Sequence, residues 1–73
     1  MVPTVTEEQK LQIQQATLKS GLNAWDYVLQ QSEDDRPWVI AGILSCMKKG
    51  YSLNRLTINW EARDLRSAMS QTA

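Results

Sequence analysis

Three consecutive acidic side chains, Glu33, Asp34 and Asp35, and a single thiol, Cys46, have the most chemistry open to them in this chain. Neighbouring carboxylates can ligate a hard divalent cation or divide general-acid and general-base roles between them. This run lacks the alternating ligand spacing and the glycine of a calcium loop, and reads first as a solvated turn that caps the helix after it. Cys46 stands among Ile43, Leu44 and Met47, the surroundings of a small core residue. A reactive thiol would have to be exposed beside Lys49. Histidine is absent, and with it the commonest general base, the commonest metal ligand and the usual partner of a Ser or Cys nucleophile. One Cys without His cannot furnish a four-ligand zinc site. The three glycines, at positions 21, 42 and 50, have no phosphate-loop spacing. The expectation is a protein that is not an enzyme, with no catalytic residue, no cofactor and no metal.

Binding chemistry is better represented. The formal net charge is zero, but residues 1–35 set two lysines against six carboxylates, a balance of −4, and residues 36–73 set six cations against two carboxylates, a balance of +4. Either the C-terminal half presents a basic surface or the acidic half lies against it and neutralises it. A helix ending at Gly50, a turn through Tyr51 and Ser52 and a second helix are the elements of helix-turn-helix DNA recognition. In that reading Lys48, Lys49 and Arg55 hold phosphates, while Asn54, Asn59, Arg63 and Arg66 reach base edges. Any helical bundle needs such turns, however, and Glu61 and Asp64 interrupt the basic face.

Aromatic side chains point to a protein partner instead. Trp25, Tyr27, Trp38, Tyr51 and Trp60 join many aliphatics in a chain too short to bury them all, and Trp, Tyr and Arg are frequent interface anchors. Tyr27 and Tyr51 are the candidate protein contacts. The competing reading makes Trp25, Trp38 and Trp60 the centre of a monomer core.

The elements that position these residues are helical. Gln, Leu, Ala, Lys, Glu, Arg and Met dominate, with only three Gly and two Pro. Residues 1–5 read as a frayed lead-in around Pro3, and 71–73 as a frayed end. Thr6 and Gln9 form a capping-box pattern that opens a long N-terminal helix. Its stripe is Leu11, Leu18, Leu22, Trp25 and Leu29, with Ile13, Ala16 and Val28 beside it, and Leu18 and Leu22 keep the phase across Gly21. One bent helix is expected, the alternative being a stop at Gly21 and a new helix capped by Asn23. Residues 32–35 connect to a second helix with Pro37 in its first turn, whose wide apolar arc makes it the central helix, with Ile43 and Leu44 at the heart of the core. It ends at Lys48, Lys49 and Gly50. Ser52 is the expected cap of the next helix. Residues 55–60 read as helix, with a short strand as the alternative, and the pattern Ile58, Ala62, Leu65, Met69 is helical with Asn59, Arg63, Arg66 and Ser70 opposite.

Size and composition set the remaining expectations. Seventy-three residues allow one core, burying only about 60% of the unfolded surface, so a partner subunit would help. A lone Cys excludes an internal disulfide and suits a reducing compartment. No apolar run reaches membrane-spanning length and no signal-peptide pattern precedes the first helix. The chain is therefore expected to be a single all-α domain, a compact bundle of three to four helices. It is expected to be cytoplasmic, with no membrane role, and to bind another protein or itself as a homodimer, DNA being the second choice.

Overall fold

The computed structural model describes residues 5–71, with side chains described through residue 69. Among the described residues the fold is all-α: α1 Glu7–Gln14, α2 Ala24–Leu29, α3 Arg36–Lys49 and α4 Arg55–Gln71. The fraying expected for residues 1–4, 72 and 73 lies outside the described residues. Val5 is half-buried and packs against the core, and α4 runs to Gln71.

Helix α1 begins as its sequence requires. The Gln9 amide donates to Thr6 Oγ1 at 3.1 Å and the Thr6 amide to Gln9 Oε1 at 3.1 Å, a complete capping box. It ends after eight residues, so the long helix running through Gly21 does not form. Gly21 takes a left-handed φ of 96°, inside a turn in which the Leu18 amide donates to the Leu22 carbonyl at 2.7 Å. Asn23 explains why the break wins. Its Oδ1 accepts from the amides of Trp25 and Asp26, capping α2, and its Nδ2 donates to the carbonyls of Gln14 at 2.8 Å and Ala16 at 3.3 Å. One side chain thus satisfies backbone groups at the end of α1 and the start of α2. The expected stripe breaks accordingly: Leu11 and Leu29 are 53% and 48% exposed, while Ile13, Ala24, Tyr27 and Val28 are buried.

Arg36 closes α2 by donating from Nε to the Gln31 carbonyl and from Nη2 to the Leu29 carbonyl, both at 3.2 Å. Helix α3 carries Pro37 in its first turn and stops at Gly50, φ 76°. There the Gly50 amide bonds the Met47 carbonyl and the Tyr51 amide the Cys46 carbonyl, a Schellman pattern. Residues 51–54 are not helical. Asn54, not Ser52, caps α4, its Oδ1 accepting from the Leu56 amide at 2.9 Å. Helix is continuous from Arg55, so the strand alternative falls.

Helices α3 and α4 pack against each other across Gly42. Contacts run from Ser45 and Lys49 against Glu61, through Gly42 beneath Ile58 and Ala62, to Asp35 and Trp38 against Arg66. Gly42 permits the closest approach: a Cβ there would stand 2.8 Å from the Ile58 carbonyl oxygen and 3.1 Å from the Ala62 amide nitrogen. Helices α1 and α2 both pack against α3, and the core unites Ile13, Leu18, Val28, Ile43, Cys46 and Ile58. Ile43 is fully buried as expected, whereas Leu44 is half-buried and packs at the core's margin.

Candidate functional site

Ile58 and Ala62 of α4 are buried, and the 100° step of a helix places Leu56 and Trp60 on the far side of it. These two are 66% and 64% exposed, the largest exposures among the big apolar side chains. Arg63 follows one turn on, its guanidinium carbon 5.9 Å from the Trp60 ring centroid. The three make a continuous outer strip of indole, leucine and guanidinium, the residue types that anchor protein contacts. The sequence left Trp60 open between an interface anchor and the monomer core, and did not single out Leu56. Their spacing was the available signal, since both fall opposite Ile58, Ala62 and Leu65. Trp38 is buried and Trp25 half-buried, so only these two tryptophans serve the interior.

The expected contact residues divide. Tyr27 is 4% exposed and its hydroxyl donates to Asn59 Oδ1 at 3.0 Å, so it braces α2 against α4 and offers no free ring. Burial pushes its phenol pKa up, with the nearby Arg55 charge opposing. Tyr51 is exposed as expected, with the Lys49 ammonium 5.7 Å from its ring centroid.

The cations proposed for DNA do not gather on one face. Lys49 donates to both Glu61 oxygens, at 3.1 and 3.2 Å, and Glu61 also accepts from Ser45 Oγ. That hydrogen bond raises the Lys49 pKa. Arg66 pairs with Asp35 at 3.2 Å and lies 5.8 Å from the Trp38 centroid. Asn54 is occupied as a helix cap and Asn59 by Tyr27. Lys48 borders a hollow with Val5, Gln9, Leu44 and Leu65, on the side of α4 away from Arg63. Lys48, Arg55 and Arg63 remain without an ion pair among the described residues. The Ser70 side chain of the expected polar stripe lies outside the described ones.

Cys46 is fully buried, and burial first and Glu61 second push its thiol pKa up, with Lys49 opposing. Asp35 accepts from Ser32 Oγ and Arg66. Among the described residues no three His, Cys, Asp or Glu side chains form a cluster able to hold a metal ion. No described helix is long and apolar enough to cross a membrane. No protein family, characterised protein or solved structure compared with this chain matches it. What the chain does is therefore read from its own surface.

Proposed function

We propose that the chain is a non-catalytic binding module that engages another protein through the outer face of α4. The observation that carries this reading is the exposed pair Leu56 and Trp60, one helical turn apart, with Arg63 against the indole. Large apolar side chains grouped on a surface are favourable to cover, each contributing about 1.5–3 kcal/mol when fully buried. Two residues of this kind flanked by arginine and polar side chains resemble the centre and rim of a protein contact. The reading keeps the module in the cytoplasm, where a lone Cys stays reduced.

A DNA role has less support. Two of the proposed phosphate or base contacts, Lys49 and Arg66, are already paired with carboxylates.

The test compares wild type with Trp60→Ala, which removes exposed surface and leaves the core intact. Immobilised wild type should retain a partner from the native host, and the variant should bind that partner more weakly by about 2 kcal/mol, roughly thirtyfold. If the partner is a second copy, sedimentation will show a concentration-dependent dimer that Trp60→Ala dissolves. Equal retention by both proteins, or a salt-sensitive shift of duplex DNA by the wild type, would overturn the proposal.

A further inference from the structure

A cleft of about 450 Å³ opens between the turn around Gly21 and the first turn of α4. Leu18 and Leu22 give it apolar surface, and Lys19, Arg55, Gln30 and Tyr27 line the rest. That volume suits a small-molecule site, and no carboxylate lines it. Lys19 and Arg55 make no ion pair with any described residue, unlike Lys49 and Arg66. Two cations bordering one cavity repel each other, and an anion between them turns that repulsion into attraction. The opening of α4 adds positive potential of the same sign.

We propose that this cleft binds the anionic group of a small organic ligand, a phosphate monoester or a carboxylate, between the Lys19 ammonium and the Arg55 guanidinium. Arg55 offers a planar fork able to meet two oxygens at once, and Lys19 a compact point charge. The cavity is larger than a bare phosphate needs, so the ligand carries a body that rests on Leu18 and Leu22. Neither Leu56 nor Trp60 lines the cleft, so this site and the outer face of α4 stand independently.

The experiment follows backbone amide shifts of the isotopically labelled full chain during titration with inorganic phosphate, phenyl phosphate and benzoate at constant ionic strength. Saturable shifts are expected at Lys19, Ser20, Asn54 and Arg55, with dissociation constants of about a millimolar or below for the organic anions. Phenyl phosphate and benzoate are distinguished by which binds tighter, and both should bind more tightly than inorganic phosphate. Lys19 and Arg55 are exposed, so a K19Q/R55Q double variant keeps the fold, which its spectrum verifies, and binds about tenfold more weakly. Trp60→Ala binds as wild type does. Shifts that fail to saturate, shifts equally large at Lys10, Lys48 and Arg63, or unchanged affinity in the double variant would overturn the proposal.

Discussion

At Gly42 two rules of residue chemistry oppose each other. Helix propensity says that alanine in the middle of α3 should stabilise it by about 1 kcal/mol. Geometry says the reverse, because the new methyl would meet the Ile58 carbonyl oxygen and the Ala62 amide nitrogen inside contact distance. Both obstacles are backbone, so α4 itself must move. Overpacking of this kind costs about 1–3 kcal/mol, and Gly42→Ala should lower the urea midpoint despite its better propensity. A raised midpoint would show that α4 rides over the methyl freely. The contrast between Ile43 and Leu44 is of the same kind. Their helix reads as apolar over most of its circumference, and that width hid which of the two is fully buried and which reaches the margin beside Val5.

Among the elements, those with local punctuation were legible. Thr6 with Gln9 marks the start of α1, and Pro37 and Lys48-Lys49-Gly50 bracket α3, because caps and breakers act over a few residues. The end of α1 was not legible. Leu18 and Leu22 keep helical phase across Gly21, and Leu18 is indeed buried, but a backbone bond within a turn brings the pair together. Periodicity records which residues face inward, not which backbone turns them there. Asn23 decides the matter, since its side chain serves amides ahead of it and carbonyls behind it. Asn23→Ala should therefore cost more than an isolated cap, about 2 kcal/mol in a denaturant melt. Asn23→Asp keeps the acceptor and loses the donors, so it should fall between the two; equality of Asp with wild type would show that the bonds to Gln14 and Ala16 contribute nothing. The candidate surface was half legible: Trp60 and Arg63 carry the residue types of a contact, but hydrophobicity alone does not decide whether an indole faces inward or outward, and Leu56 gives no signal until the face of α4 is fixed.

For the whole molecule, charge and pH are the relevant variables. The acidic N-terminal half and basic C-terminal half meet in the ion pair Asp35–Arg66, while Lys49–Glu61 lies within the C-terminal half. Neutralisation between the halves is thus only partial. Three groups have folded pKa values moved in one direction, upward: Cys46 from 9.0, Tyr27 from 10.0 and Lys49 from 10.5. A group raised by folding holds its proton longer in the native state than in the unfolded chain. Its contribution to stability is complete below the unfolded value and declines as pH rises toward the folded one. Unfolding midpoints should therefore fall progressively above about pH 9, and Tyr27→Phe, though destabilised at neutral pH by loss of the Asn59 bond, should show a shallower decline. A midpoint that holds to pH 11 would contradict this.

The amide of Lys19 donates to the carbonyl of Leu53 at 2.8 Å, joining the turn around Gly21 to the connection between α3 and α4. An exposed turn residue ordinarily trades its amide proton with solvent almost at once, yet this one is held by a segment 34 positions further along the chain. Its exchange with deuterium therefore clocks the parting of the N-terminal arm from the α3–α4 pair. If the arm lifts away as a separate cooperative unit, Lys19 will exchange faster than the amides at the middle of α3 and in step with those of α2. Equal rates at Lys19 and Ile43 would mean that the arm and the α3–α4 pair open only together, and that the molecule has a single unit of unfolding.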